Sequence, residues 1–298
     1  MTAAERALTL SRRMSPIGLG TARGAEDGAT DARMTDILSA GLGHGVTVLD
    51  TAVNYRRGRS ERAVGEALRR AITLGVTSRD RVVVSTKVGY PRPDGGVASS
   101  APGPESHDPA AYCLDPRCIR YSLATSLETI GVDRIDLCFI HNPEEVQRNA
   151  TDVGPCLLRA VEALETAVAD GLILGYGFAT WDLDQDLEVL NPVRFAELAI
   201  SVAGREHHFA AVQAPLSLHR REALRPRYPV DGKLVSLVSL CARLGLVFVA
   251  SATAGGGHTA GIAASSVRWA ASVPGVTTAL VGTLQMEHLL AVTGAGIA

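Results

Sequence analysis

The chain has 298 residues, of which 46% are hydrophobic and 20% charged. That composition can bury a large core without disulfides, metals or partners, and it excludes general disorder. Its 29 Lys and Arg against 31 Asp and Glu give a formal net charge of −2, which supplies neither a basic patch for nucleic acid nor a polybasic stretch for anionic lipid.

In chain order, residues 1–13 are polar and lack the apolar core of a signal peptide, and no later apolar run is long enough to span a membrane. The expectation is a soluble cytoplasmic protein. Strands are expected at 17–21, 46–50, 82–87, 135–141, 174–178, 211–214, 246–251 and 278–282, as short Val-, Ile- and Leu-rich runs whose continuous hydrophobicity suits strands covered on both faces. Helices with apolar residues at three- and four-residue spacing are expected at 32–43, 61–74, 117–130, 155–169, 195–202, 234–244, 260–272 and, more briefly, 286–292. Residues 90–115, rich in Gly, Pro and Ser, read as one long loop after the third strand. Eight strand–helix pairs favour a single (β/α)8 barrel over residues 1–298 rather than a doubly wound sheet, which has fewer strands. Cys113, Cys118, Cys138, Cys156 and Cys241 lack CxxC spacing, so neither a disulfide framework nor a zinc site is expected.

A barrel places its chemistry at the carboxyl ends of the strands. Three of those ends carry Asp50, Lys87 and His141, and Tyr55 follows Asp50 closely. Buried charges need partners, so Asp50 and Lys87 should pair; for those two alone, a structural ion pair at the rim explains them equally well. Tyr55 tips the balance. An ammonium beside a phenol favours the phenolate and should draw its pKa toward the working pH, making Tyr55 a usable general acid. A neutral His141 could then orient a carbonyl oxygen, although a lone strand-end histidine is more often structural.

The segments Asp50-Thr51-Ala52 with Tyr55, Ser60-Glu61 and Gly65, then Ser85-Thr86-Lys87-Val88-Gly89, then Asp133-Arg134-Ile135-Asp136-Leu137 leading to Ile140-His141-Asn142-Pro143-Glu144, together resemble the aldo-keto reductase superfamily. The resemblance runs from about Ile17 to Leu290. It implies a catalytic tetrad of Asp50, Tyr55, Lys87 and His141, with Tyr55 giving a proton to a carbonyl that receives hydride from NADPH or NADH. It implies cofactor contacts from Gly20, Thr21, Asp50, Thr180, Gln213, Ser251, Gly282 and Thr283. The 85–89 segment is similar to the aldose and lactol dehydrogenase branch, which implies a small carbonyl or sugar-like substrate.

The cofactor half departs from the family pattern. Gly177-Phe178-Ala179-Thr180 stands where Ser-Asn usually holds the nicotinamide amide, while Gln213 matches the other amide position. Ala250-Ser251-Ala252-Thr253 stands where many members place a Tyr that stacks on the nicotinamide, and residues 254–257 replace a longer loop. Leu284 stands where a basic residue commonly engages the adenosine 2′-phosphate, which weakens the case for NADP over NAD. Two other readings follow: a non-redox lyase, dehydratase or isomerase using Tyr55 and His141 as acid and base, or a non-catalytic cofactor-binding subunit.

Gly18-Leu19-Gly20 with Gly24 has the wrong spacing for a dinucleotide fingerprint and opens no helix, so it is rejected. His207-His208 lacks a third metal ligand and reads as an exposed helix-end pair; no metal is expected. Arg220-Arg221, with Arg225 and Arg227, reads as a solvated loop, with a phosphate-bearing substrate as the alternative.

Overall fold

Parallel strands β1 (Ile17–Gly20), β2 (Val48–Asp50), β3 (Val83–Val88), β4 (Ile135–His141), β5 (Ile173–Ala179), β6 (Phe209–Pro215), β9 (Val247–Ser251) and β10 (Thr278–Val281) close a barrel in the ring order β1-β10-β9-β6-β5-β4-β3-β2. The structure is a computed structural model that describes residues 2–92, 112–148, 153–184, 189–255 and 263–294. The expected 90–115 loop therefore lies largely outside the described residues. Helices α2 (Gly28–Gly43), α3 (Arg59–Thr73), α4 (Pro116–Ile130), α5 (Val153–Ala169), α6 (Pro192–Ala203), α7 (Leu237–Arg243), α8 (Ala263–Ser272) and α9 (Met286–Thr293) follow the successive strands. No helix among the described residues is long and apolar enough to cross a membrane.

Several helices begin earlier than the apolar periodicity predicts, because capping residues rather than apolar ones set their starts. The Asp27 side chain accepts from the Thr30 amide ahead of α2, and Asn191 accepts from the Val193 amide with Pro192 in the first turn of α6. Residues 234–244 are the clearest miss. Their first part is β8 (Lys233–Val235), paired antiparallel with β7 (Tyr228–Val230), and only Leu237–Arg243 is helical. Asp231 and Gly232, at φ of 50° and 74°, form the hairpin turn that an Asp-Gly pair favours.

Helix α1 (Ala3–Ser11) was not expected either. A reciprocal Thr2/Glu5 capping box starts it. Its Ala7 and Leu10, with Met14 beyond it, join Val48, Val83, Leu137, Phe139, Ala211 and Val249 in the barrel interior. The Arg13 guanidinium adds bonds to Asp136 and to the Asp80 and Val82 carbonyls. The helix thus closes the amino-terminal end of the barrel and leaves the opposite end for chemistry.

Outside the strands, α3 approaches α4 closely at Gly65, where a Cβ would stand 2.3 Å from the Ile130 carbonyl oxygen. Cys113 and Cys118 are joined by a disulfide, with Cα atoms 6.3 Å apart, which corrects the expectation of no disulfide. The turn through Asp115 and Pro116 onto α4 brings the two residues together where sequence spacing alone gave no signal. The two histidines also depart from expectation. His207 is 7% exposed, and His208 donates its amide to Glu165 Oε1 while its Nδ1 lies 2.7 Å from Oε2. A short 3-10 turn, Gly204–Glu206, carries the pair into β6 instead of leaving it at a free helix end. Arg220 and Arg221 are not simply solvated: their guanidinium carbons lie 5.1 Å and 5.0 Å from the Trp181 and Trp269 ring centroids.

Candidate active site

Side chains alternate across a strand. Val48 and Asp50, Ser85 and Lys87, Leu137, Phe139 and His141, and Ala211 and Gln213 therefore point into the barrel. The apolar members form its interior. The polar members end up in one layer at the carboxyl ends of the strands.

In that layer Lys87, 1% exposed, donates from Nζ to Asp50 Oδ2 at 2.7 Å and to the Thr51 carbonyl at 2.8 Å. Asp50 Oδ1 accepts from Ser85 Oγ at 2.7 Å and Gln213 Nε2 at 3.0 Å. This carboxylate is therefore bonded on both oxygens, as a buried charge requires. Burial alone would push the Lys87 pKa down, but Asp50 and Tyr55 hold it above the ordinary lysine value. On the outer face of β3, Thr86 donates to the buried Glu61, which also accepts from Arg92.

Lys87 Nζ lies 4.6 Å from the centroid of the half-buried Tyr55 ring. The phenol does not move in the expected direction. Burial raises its pKa above the usual value, and the nearby ammonium only partly opposes that rise. Tyr55 is thus a firmly protonated phenol at neutral pH. The turn that presents it is unusual: Arg56, Arg57 and Gly58 all have positive φ, at 48°, 54° and 79°. For two arginines this left-handed backbone is costly. The buried Arg56 side chain holds it, donating to the Ala25 carbonyl at 2.8 Å and to Asp31 Oδ1 at 2.6 Å.

His141 completes the group, its ring edge-on to Tyr55 and Tyr90 at centroid distances of 5.7 Å and 4.9 Å. Burial, helped by the Lys87 charge, pushes its pKa well below the ordinary histidine value, so the ring is neutral. Its buried Nδ1 meets no partner among the described residues.

An open cleft runs across this layer. Of the expected residues, Gly20, Thr21, Asp50, Tyr55, His141, Thr180, Gln213, Ser251 and Gly282 line it. Lys87 sits beneath Tyr55, and Thr283 lies outside, its hydroxyl accepting from the Gln285 amide at the start of α9. Gln213 is engaged by Asp50 as well as facing the cleft. The Thr180 hydroxyl donates to the buried Glu144 at 2.7 Å, and burial raises that carboxyl's pKa. Among the lining residues that sequence reasoning did not name for the site are Ala22, Arg23, Asn142 and Trp181. Asn142 had a signal, as the residue directly after the fourth strand within the Ile140–Glu144 motif. Among the described residues no group of three His, Cys, Asp or Glu could hold a metal.

The cleft fits a dinucleotide. One wall is built from small residues, Gly20, Ala22, Ser251, Ala252, Ala254 and Gly282, that leave room for a ligand at the strand ends. The comparisons agree in class: the chain belongs to the aldo/keto reductase family, matched over residues 16–258. D-threo-aldose 1-dehydrogenase of Pseudomonas sp is 33% identical over 57% of this chain and 50% of its own length. The NADH-specific methylglyoxal reductase of Escherichia coli is 31% identical over 52% of this chain and 43% of its own. The chain spans about half the length of these curated relatives. A crystal structure of an aldo/keto reductase from Klebsiella pneumoniae in complex with NADP and acetate aligns over 96% of this chain and 87% of that one, at 25% identity and a TM-score of 0.65.

Proposed function

We propose that this chain is an NAD(P)-dependent oxidoreductase that interconverts a carbonyl, as aldehyde, ketone or sugar lactol, and an alcohol. The observation that carries the reading is the bonded series Asp50–Lys87 beneath Tyr55, beside a neutral His141, at the mouth of a cleft with a small-residue wall. A bound nicotinamide cofactor supplies hydride to the carbonyl carbon, or takes it from the alcohol carbon in the reverse direction. Tyr55 gives its proton to the carbonyl oxygen, and the resulting phenolate faces the Lys87 ammonium. Asp50 fixes that ammonium. His141, neutral, orients the substrate oxygen without competing for the proton. Gly20, Thr21, Asp50, Thr180, Gln213, Ser251, Gly282 and Thr283 are the residues proposed to hold the cofactor, NADP or NAD.

Titration with NADPH and NADH, followed by protein fluorescence, tests the reading. Micromolar binding of either supports it, and comparing the two measures the effect of Leu284 at the 2′-phosphate position. Absence of binding at millimolar cofactor overturns it in favour of non-redox acid–base chemistry. In a cofactor-binding protein, Tyr55→Phe should lower kcat by roughly 10² to 10⁴, the usual contribution of a positioned general acid, with little change in Tm.

A further inference from the structure

Apart from the neutral Tyr55 and His141, two ionisable side chains line the cleft among the described residues, Asp50 and Arg23. Asp50 is matched by Lys87. Arg23, exposed on the loop after β1, makes no hydrogen bond or ion pair with any described residue. The carboxylates that follow it in the loop and the start of α2 are engaged elsewhere. Glu26 lies 3.8 Å from Arg57 Nε, the Asp27 carboxylate accepts from the Thr30 amide, and Asp31 accepts from both Arg56 and Arg59. The fold thus leaves one cation unmatched at the lip of a concave site, placed to act on an anionic ligand.

Packing fixes where that cation sits. The Arg23 stem lies against the end of β10, since a Cβ on Gly282 would stand 3.8 Å from its Cγ and from its Cδ. Gly24, at φ 112°, lies against Leu284, whose Cδ1 would be 3.0 Å from a Cβ there. The loop after β1 therefore rests on the segment between β10 and α9, with Arg23 beside the apolar Leu284. Gly282, Thr283, Leu284 and Gln285 bring no charge of their own to that place. NAD and NADP differ by one phosphate, on the adenosine 2′-oxygen, so the protein tells them apart by what it sets around that group. A guanidinium grips phosphate oxygens through two parallel N–H bonds. Hydride exchange requires the nicotinamide to meet Tyr55 and His141, which leaves the β10 side of the cleft to the adenosine half. Resting on the oxidoreductase reading, we propose that Arg23 reaches across Gly282 to bind the adenosine 2′-phosphate, supplying from the loop after β1 the charge that Leu284 does not, so that the cofactor is NADP(H).

The test measures dissociation constants, with no turnover required, for NADPH, NADH and the fragment 2′,5′-ADP in the parent protein, Arg23→Ala and Arg23→Lys. Because Arg23 is exposed and bonded to nothing in the fold, both variants should keep the parent Tm. The parent should bind NADPH more tightly than NADH. Arg23→Ala should weaken NADPH and 2′,5′-ADP by about tenfold or more, the loss expected for a charge-assisted contact, while the NADH constant stays within about twofold. Arg23→Lys should fall between, since an ammonium keeps the charge and loses the fork. Equal weakening of NADPH and NADH would put Arg23 on the pyrophosphate that both share. Unchanged constants would make it a solvated arginine, and a parent that prefers NADH would have no 2′-phosphate site. Each of these three results overturns the assignment while the oxidoreductase reading stands. If the parent binds neither dinucleotide, that reading falls, and the 2′,5′-ADP constants alone decide Arg23.

Discussion

Tyr55 shows how neighbouring groups set a proton's availability. Its phenol is raised by burial and drawn back by Lys87. Replacing Lys87 by Met removes the opposing charge, so the phenol pKa should rise further. Oxidation needs the phenolate, and its rate climbs with pH through that pKa. The alkaline limb of kcat for oxidation should therefore move upward in Lys87→Met, costing about tenfold at a fixed pH for each unit moved. A limb that stays in place would separate Lys87 from the phenol. His141 shifts the other way. Because its folded pKa lies well below 6.5, the unfolded chain binds a proton that the folded one refuses. This histidine's contribution to stability is complete above about pH 6.5 and is lost as the pH falls below it, which urea midpoints measured from pH 5 to 8 would register. The Asp50, Lys87 and His141 positions were legible because strand ends and side-chain alternation are sequence properties. Arg56 was not. Its left-handed turn is held by Ala25 and Asp31, partners that sequence spacing does not point to. Arg56→Ala should release Tyr55, lowering kcat together with stability, the latter by about 1.5–3 kcal/mol per charge-assisted bond lost.

Among the elements, close approaches and caps were the hardest features to read. Periodicity located the helices, but their starts followed Asp27 and Asn191, and the hairpin of β7 and β8 took residues whose apolar spacing had suggested helix. The Asp231-Gly232 pair was the available signal there, outweighed by Leu234 and Val235, which fit the spacing of the helix that follows. Gly65 belongs to a motif in the sequence, yet its physical reason emerges only when α4 is in place. Gly65→Ala puts a methyl against the Ile130 carbonyl. The two helices must separate, at an expected cost of about 1–3 kcal/mol in urea denaturation, as for other overpacked contacts.

For the molecule as a whole, stability and chemistry are divided between the two ends of the barrel. Leu10, from α1, packs into the barrel interior at the end away from the cleft. Leu10→Ala should destabilise the fold by about 2–3 kcal/mol, in the range of buried leucine truncations, while kcat/KM stays within twofold of the parent value. A large loss of turnover without a loss of stability would mean that the two ends are coupled.

Lys87 is one of only two lysines in the chain, the other being the exposed Lys233 of the β7–β8 hairpin. Free aldehydes condense with amines to form imines, so a protein that handles them risks slow damage to its own surface. Here the guanidinium side chains that carry nearly all the positive charge are far poorer nucleophiles, and the buried Lys87 is engaged by Asp50. Lys233 is left as the exposed lysine on which such adducts would collect, some distance in sequence from every residue assigned a role in the chemistry.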